Sequence, residues 1–368
     1  MLAYIARRLL LIVPTLFGIM VVNFAIVQVA PGGPIELMIA RAKGSAVEAT
    51  ARVSGAAGET ARGGAIERAG AGPAASDVTS KYRGARGLDP EFIKQLEKQY
   101  GFDQPAWRRF ATMMKRYIAF DFGTSFFRDR PVLGLMLDKL PVSISLGLWT
   151  TLLIYLISIP LGVAKAVRDG SGFDVWTSAV VIVGYAIPGF LFAILIIVLF
   201  AGGSFLNVFP LRGLVSAGFA QMSVGAKIAD YFWHITLPIV ALVIGGFAGL
   251  TMLTKNSFLE EIGKQYVVTA RAKGLSQRAV VYVHAFRNAL VPVVTVIGIT
   301  MAVLIGGAVV TEIVFNIPGL GRLIVSAILR RDYPVVQGVV LVTAAAYVLI
   351  NLAIDVLNAF IDPRIRYD

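Results

Sequence analysis

The stretch that decides the fold and points to the function is YVVTARAKGLSQRAVVYVHAFRNALVP, residues 266–292. It is basic, contains no Asp or Glu, and lies between two long apolar runs. Each run, Ile235–Thr254 and Ala289–Val310, has about 20 residues, which at a rise of about 1.5 Å per residue can cross a hydrocarbon core of about 30 Å. The segment between the two runs must therefore face water.

The whole chain has the composition of an integral membrane protein. Of its 368 residues, 57% are hydrophobic and 15% are charged, whereas soluble globular proteins have about 25% charged residues. The net charge of +12 could indicate nucleic-acid binding, but Lys and Arg are spread over the loops without a basic face rich in aromatics. We therefore attribute the charge to membrane topology and expect no nucleic-acid partner. The absence of cysteine excludes disulfides and thiolate chemistry.

The apolar runs predict an all-α polytopic protein with about six transmembrane helices. The predicted spans are Leu9–Ala30, Ser143–Val167, Val175–Ala201, Ile235–Thr254, Ala289–Val310 and Val335–Phe360. An even number places both termini on one side of the bilayer, and the short loops of that side hold twelve Lys and Arg residues against five on the other. This asymmetry predicts cytoplasmic termini. The first run is predicted to be a retained helix, because it is longer than the apolar core of a signal peptide and no clear cleavage site follows.

Three domains are predicted: an N-terminal transmembrane helix (1–30), an inserted periplasmic region (31–140), and a five-helix core (141–368) that contains a cytoplasmic loop at 258–288. Within the periplasmic region, residues 41–87 include 13 Ala and 9 Gly and almost no large apolar side chains. Such a composition cannot bury enough surface to offset the entropy of ordering. We predict a flexible insert there.

Residues 88–140 have a different pattern, which predicts a small helical subdomain. Asp89 and Pro90 form a helix start, and a second helix follows Pro105. Apolar side chains recur at helical spacing in both helices: Phe92, Leu96 and Tyr100, then Trp107, Phe110, Met114 and Tyr117.

The basic segment itself has the features of a rigid docking surface on the water-facing side. Gly274 lets the backbone turn between two short helices, and Arg271 and Lys273 supply cations. Apolar contacts are expected from Val267, Ala270 and Val281. A basic loop that only enforces topology is the alternative interpretation.

The residue inventory predicts neither catalysis nor a metal site. The two histidines, His234 and His284, lie near span ends on opposite sides, and no phosphate-binding loop is present. Nucleotide energy must then come from a partner. An ion-driven carrier would need an acid deep in a span, and for the one candidate, Asp355, pairing or contact with interfacial water is the favoured interpretation. A secondary peptide transporter stays open as the alternative function.

Two prolines within predicted spans, Pro160 and Pro188, are expected to kink their helices, because each removes a backbone hydrogen bond. Either a gating hinge or a static packing kink is consistent with this pattern, because prolines are common in membrane helices.

The basic segment resembles the cytoplasmic coupling loop of ABC-importer permeases of the oligopeptide/dipeptide class. The similarity is carried there by TARAKGLS (269–276) and HAFRNALVP (284–292). Matching stretches elsewhere are RRLLLIVPTLFGI (7–19), APGGP (30–34), DFGTSF (121–126), VFNIPGLGRL (314–323) and RDYPVVQG (331–338). The chain departs from the general pattern at Val268, which replaces an acid. Gly33, the Ala/Gly-rich insert and KYRGARGLDP (81–90) are most similar to the Yej-type subfamily.

The resemblance implies a set of residues that couple the chain to an ATPase. These are Tyr266, Thr269, Ala270, Arg271, Lys273, Gly274, Leu275, His284 and Arg287. A second set, on the outer side, is expected to contact a binding protein or close the path, although a simple helix-linking turn is an equal alternative. It comprises Phe315, Pro318, Gly319, Gly321, Arg322 and Asp332.

The resemblance also implies partners and a mechanism. An outer peptide-binding protein delivers a peptide, including antibiotics of the microcin C kind, to a path shared with a second permease subunit. Two ATP-binding subunits, or one fused ATPase, hold ATP and Mg²⁺, while this chain carries no cofactor. Closure of the ATPases moves the coupling loop and drives alternating access in the inner membrane.

Overall fold

Most of the residues that a computed structural model describes are helical, and the described ranges are 2–29, 35, 38–39, 89–99, 102–202, 205–305 and 307–361. One isolated antiparallel bridge joins Thr124 to Pro131. The predicted all-α fold is therefore confirmed. The predicted flexible insert at 41–87 lies outside the described residues.

The α-helices that position the functional regions are numbered here in chain order. They are α1 (Leu2–Val29), α2 (Pro90–Gln99), α3 (Ala106–Ile118), α4 (Val132–Val167), α5 (Gly172–Ala186), α6 (Gly189–Phe200), α7 (Val224–Ile262), α8 (Gln265–Ala272), α9 (Phe286–Ile305), α10 (Val309–Val314), α11 (Leu320–Arg330) and α12 (Tyr333–Ile361). A short α-turn (Gln277–Ala279) and a π-helical segment (Val280–Ala285) lie between α8 and α9.

Five helical segments of the described residues are long and apolar enough to cross a membrane, in agreement with the predicted spans 1, 2, 4, 5 and 6. The pair α5 and α6 makes a sixth if it counts as one broken span. Several helices are longer than predicted. The longest, α7, has 39 residues, so at about 1.5 Å per residue it is about 58 Å long and extends well beyond a hydrocarbon core of about 30 Å.

The two prolines that were expected to kink their helices lie in different settings. Pro160 lies inside α4, which continues past it without a break. Pro188 precedes α6, and the axes of α5 and α6 differ by 92° at this point. The bend expected at Pro188 is therefore confirmed, and the predicted span Val175–Ala201 consists of two helices, because a residue that precedes proline is disfavoured in the helical conformation and Ile187 is extended.

The predicted fifth span, Ala289–Val310, extends beyond the observed helix at its outer end. Helix α9 ends at Ile305, and the next helix, α10, begins at Val309. Between them Gly307 has a φ of +103°, and a Cβ at this position would lie 2.2 Å from the backbone nitrogen of Gly321. Only glycine fits this turn, because both the backbone conformation and the space exclude a side chain.

The residues divide into two compact units. One comprises Phe17–Met136 and Ile324–Leu341. A buried apolar cluster in this unit includes Ile93 and Leu96 of α2, which pack against Ile35 and Ile39.

The apolar pattern of the predicted subdomain is only partly right. Phe92 is exposed, and Ile93 takes the inward position instead, while Tyr100 lies outside the described residues. In α3, Phe110 packs edge-on against Phe24 of α1, whereas Trp107 is exposed.

The other unit comprises Met1–Leu16, Leu137–Leu323 and Val342–Asp368. One of its apolar clusters is formed by residues of α4, α6, α7 and the turn after α10, including Leu146, Ile196, Ile235, Phe315 and Ile317. Separate clusters lie where α4 and α7 meet α9, and where α7 meets the segment after it. This packing holds the inner end of α7 and the start of α9 close to the basic segment.

Candidate functional site

The predicted coupling segment, residues 258–288, is a compact helical turn. Helix α8 ends in a Schellman motif, in which the Gly274 N–H donates to the Arg271 carbonyl (2.9 Å) and the Leu275 N–H donates to the Ala270 carbonyl (3.3 Å). Gly274 has a φ of +81°, a conformation that favours glycine. Ser276 then begins the next helical turn, because its hydroxyl accepts a hydrogen bond from the Ala279 N–H. The turn predicted at Gly274 thus has a definite hydrogen-bonded form.

The inner face of the coupling segment packs against its own chain. Val267, Ala270, Val280 and Ala285 form a buried cluster with Ile262 at the end of α7. Val281 is also buried, in a cluster with Phe258 and Ala289.

The apolar residues expected to contact a partner, Val267, Ala270 and Val281, therefore stabilise the segment instead. Ala270 is only 6% exposed. The sequence could not show this, because helical spacing does not tell whether an apolar stripe faces its own protein or another.

The outer face of the segment is exposed and basic. Its exposed side chains include Val268, Thr269, Arg271, Lys273, Leu275, Arg278, Tyr282, Val283 and His284. Apolar side chains on this face lie among cations, and residues 265–287 contain no acid to neutralise them. Such a surface suits an acidic groove on a partner protein.

Tyr266 and Arg287, both predicted to contact an ATPase, make hydrogen bonds within the chain. The Tyr266 hydroxyl donates to the Glu261 carboxylate, and the Asn288 side-chain amide donates to the Tyr266 oxygen at 3.1 Å. The Arg287 Nε–H donates to the backbone carbonyl of Ile361, at the end of α12. Burial, and then the bond to Glu261, raise the pKa of Tyr266, so its hydroxyl keeps its proton at neutral pH.

The second predicted region, around residues 315–322, is mostly interior. Phe315, Gly319 and Gly321 are buried, and only Pro318 and Arg322 of the predicted set there are exposed. As the structure stands, the three buried residues cannot touch a partner. The exposed pair leaves a small outer surface at this turn.

The buried turn is organised by Glu312, a residue that the sequence analysis did not single out. Its side chain is fully buried, accepts a hydrogen bond from the Ser143 hydroxyl (2.9 Å) and another from the Arg322 N–H (2.8 Å). The Ser143 oxygen in turn accepts from the Leu320 N–H at 2.8 Å. A Cβ on Gly319 would lie 2.3 Å from the Glu312 carboxyl carbon, so glycine is required there. A lone acid in the apolar run AVVTEIVF was the available sequence signal.

Asp332 is buried in the unit that comprises Phe17–Met136 and Ile324–Leu341, and it lies immediately before α12. Its carboxylate accepts a hydrogen bond from the Ser125 hydroxyl and another from the Phe126 N–H (3.1 Å). Burial raises the pKa of this carboxyl. These contacts link the DFGTSF stretch to the start of α12, so two of the motifs that carried the resemblance meet in space.

A third group of charged side chains contains Lys165 and Lys255, two of the twelve basic residues that were counted above to predict the topology. Lys165 is 0% exposed and lies 3.0 Å from Asp174 Oδ1, and it donates to the Ser178 hydroxyl at 2.7 Å. The other Asp174 oxygen lies 2.7 Å from Lys255, which also pairs with Asp169. This cluster joins α4, α5 and α7. Each buried charge has an opposite partner, as burial requires.

Ser216 donates its hydroxyl hydrogen bond to the Asp230 carboxylate, and His234 Nδ1 lies 2.8 Å from the Asp230 carbonyl oxygen. No cluster of metal-ligating side chains occurs within the described ranges. The exposed, basic coupling segment follows the end of the longest helix.

Several apolar spans and a rigid basic turn between the fourth and fifth of them define a class: the permease subunit of a transporter. The chain belongs to the family described as "Binding-protein-dependent transport system inner membrane component", whose profile matches residues 158–367. It is thus an inner-membrane permease subunit of an ABC importer, working with ATPase and substrate-binding partners. The matched range contains the coupling segment.

Three curated relatives are similar over the whole chain. Identity is 52% to the peptidoglycan transport system permease protein YejB of Agrobacterium fabrum (strain C58), over 100% of this chain and 98% of that protein. It is also 52% to the inner membrane ABC transporter permease protein YejB of Escherichia coli O157:H7, over 100% of this chain and 99% of that protein. Identity is 33% to the dipeptide transport system permease protein DppB of Escherichia coli K12, covering 100% and 99%. The resemblance to the oligopeptide/dipeptide class and its Yej-type subfamily is confirmed.

Proposed function

We propose that this chain carries peptides across the bacterial inner membrane by alternating access, as one of two permease subunits that share a translocation path. The support is the full-length similarity to permeases named for dipeptide and peptidoglycan transport. Peptide-linked antibiotics of the microcin C kind are further proposed substrates. The relatives' names favour small peptides, including those released from cell walls.

The proposed complex contains two ATP-binding subunits, or one fused ATPase, together with a periplasmic peptide-binding protein. ATP and Mg²⁺ bind to the ATPases, and this chain is a non-catalytic subunit. Both termini and the coupling segment face the cytoplasm, which the excess of Lys and Arg in the corresponding loops supports. The exposed pair Pro318 and Arg322 then lies on the periplasmic side, where the binding protein docks.

The observation that carries the proposal is the form of the coupling segment. Its inner face is buried against α7 and α9, and its outer face presents Arg271, Lys273 and Leu275. A rigid, exposed turn can transmit a partner's movement because it cannot rearrange independently of the helices that hold it. We propose that this face contacts the ATPase.

The structure gives the alternative, an ion-driven carrier, no support at its best candidate site. Asp355 accepts a hydrogen bond from the Tyr4 hydroxyl (2.8 Å) and pairs with Arg8 at 3.1 Å. The carboxylate is thus paired with side chains of α1, which is the interpretation favoured for it above.

Reversal of the charge at Arg271 tests the proposal. We expect Arg271→Glu to reduce the ATPase that co-purifies with the complex and to lower ATP-driven peptide uptake into proteoliposomes at least about tenfold, because the acid repels an acidic partner surface. Replacement of Gly274 by Glu should act similarly, since a side chain there strains the positive-φ turn.

Arg212→Glu is the matched control, because Arg212 is exposed in the loop that precedes α7 and lies on the predicted outer side. It should leave the ATPase content and uptake unchanged. Normal uptake by Arg271→Glu at normal complex abundance would contradict the proposed docking. Peptide uptake driven by a proton gradient without any ATPase would refute the proposed function itself.

A further inference from the structure

The Tyr266 hydroxyl takes part in a small network of hydrogen bonds between the coupling segment and the helices on either side of it. Its hydroxyl uses its donor on the Glu261 carboxylate and accepts a bond from the Asn288 amide at 3.1 Å. Glu261 lies one residue before the end of α7, and Asn288 lies in the first turn of α9. One hydroxyl on α8 therefore connects the inner ends of two predicted spans.

The partners of Tyr266 are themselves held in place. Glu261 is 8% exposed, and its second oxygen accepts a hydrogen bond from Lys264. A neighbouring hydrogen bond, from Arg287 to the carbonyl of Ile361, fastens the start of α9 to the end of α12. The carbonyls at a helix end lack partners within the helix, so a guanidinium there is favourable.

Apolar packing alone would hold α8 at a given distance from the spans but would not fix its orientation relative to them. The Val267 and Ala270 side chains press against Ile262, Val280 and Ala285, and apolar contacts are not directional. Hydrogen bonds have narrow preferred geometries. The Tyr266 bridge therefore determines how α8 is oriented relative to α7 and α9.

We infer that Tyr266 is a positioning residue for transport, whose hydroxyl makes α7 and α9 move together when the ATPase displaces α8. This rests on the proposed function. It assigns the Tyr266 hydroxyl a role within the chain, beside the ATPase contact expected from the sequence for this 37% exposed side chain. Without the hydroxyl, α8 can follow the ATPase while the two spans lag behind, so ATP is hydrolysed with less transport.

The test is Tyr266→Phe in the assembled complex with its ATPases and binding protein, reconstituted in proteoliposomes. Peptide uptake and ATP hydrolysis are measured in the same vesicles with the peptide that the wild-type complex transports. We expect the peptide carried per ATP to fall about fivefold or more, the lower range of known couplings between sites. The amount of bound ATPase should stay at the wild-type level.

A second variant tests whether the effect passes through the bridge. Asn288→Ala removes the other hydrogen bond of the same hydroxyl, and the double variant should lose no more transport per ATP than Tyr266→Phe alone, because residues of one network are not additive. Additive losses would overturn the inference.

Tyr155→Phe is the matched control for general loosening. The Tyr155 hydroxyl donates to the Val293 carbonyl at 3.0 Å, which joins α4 to α9 away from the coupling segment. This variant should keep its transport per ATP. An equal loss there, or an unchanged ratio in Tyr266→Phe, would overturn the inference, and so would a loss of bound ATPase in Tyr266→Phe. If the wild-type complex shows no ATP-driven peptide uptake, the proposed function fails instead.

Discussion

At the scale of single residues, Glu312 shows how a buried carboxylate shapes an irregular turn. Backbone N–H groups of a turn need acceptors when they are buried. Glu312 and Ser143 supply acceptors to Leu320 and Arg322, so the chain can leave the helical conformation between α10 and α11. Of the residues expected to meet a partner at this turn, Gly319 is interior because it lies against this carboxylate, whereas Phe315 is buried in the apolar cluster with Leu146 and Ile235.

A pH dependence follows from the same residue. Burial raises the pKa of Glu312 above its ordinary value of 4.5, so the folded protein binds this proton more tightly than the unfolded chain. As the pH falls from the raised pKa toward 4.5, the free energy of unfolding should therefore increase. Thermal unfolding of the purified complex across this range should show a smaller increase for Glu312→Gln.

Ser143→Ala separates titration from hydrogen bonding. It removes the hydroxyl that donates to Glu312 but leaves the titrating carboxyl in place, so the increase should persist at lower stability. Because the lost hydrogen bond lowers the pKa of Glu312, the increase should begin at a higher pH than in the wild type. Asp332, whose pKa burial also raises, accounts for any increase that remains in Glu312→Gln. An unchanged pH dependence in Glu312→Gln would contradict this account.

At the scale of helices, the buried charge cluster joins α4, α5 and α7 near the residues that precede the coupling segment. Lys165 donates to the Asp174 carbonyl (2.9 Å) as well as pairing with its carboxylate, and Lys255 of α7 pairs with the same carboxylate. Removing one partner of a buried ion pair leaves an uncompensated charge. We therefore regard the cluster as the main polar junction of these three helices.

Lys165→Met should lower the stability of the protein by about 1–3 kcal/mol, because the buried Asp174 carboxylate and the Ser178 hydroxyl each lose a partner while Lys255 still pairs with that carboxylate. Asp169→Asn is the matched control, since Asp169 pairs with Lys255 at 2.8 Å but is 53% exposed. Exposed pairs contribute about 0–1 kcal/mol, so its effect should be small. Thermal unfolding in detergent compares the two, and equal losses would show that the buried pair has no special weight.

At the scale of the whole molecule, the proposed orientation is open to a direct test because the chain contains no cysteine. In membranes stripped of the ATPase, Lys273→Cys on the coupling segment should react with a membrane-impermeant maleimide only from the cytoplasmic side. Pro318→Cys should react only from the periplasmic side. Both native residues are exposed in the structure.

Val293→Cys is the control, since Val293 is fully buried and should react from neither side. Labelling of Lys273→Cys from the periplasm would place the coupling segment outside and overturn the proposed contact with an ATPase. Labelling of Pro318→Cys from the cytoplasm would place this turn inside and overturn the proposed docking of the binding protein there.

The sequence by itself determined the class of this protein and the position of its coupling segment. A span is recognisable because its apolar length must match the bilayer, and a water-facing loop because charge is excluded from hydrocarbon. Both properties belong to short, continuous stretches. The turn at Gly274 was predictable for the same reason, because a left-handed backbone is a local requirement.

Only the tertiary structure decided which way the side chains face. It buried Ala270, paired the Tyr266 hydroxyl with Glu261, and made the bend expected at Pro188 a 92° break between two helices. It also paired Tyr4 with Asp355, 351 positions along the chain. Such contacts depend on which helices pack together. Helix periodicity predicts which side of a helix is apolar, but it does not predict which helix covers that side.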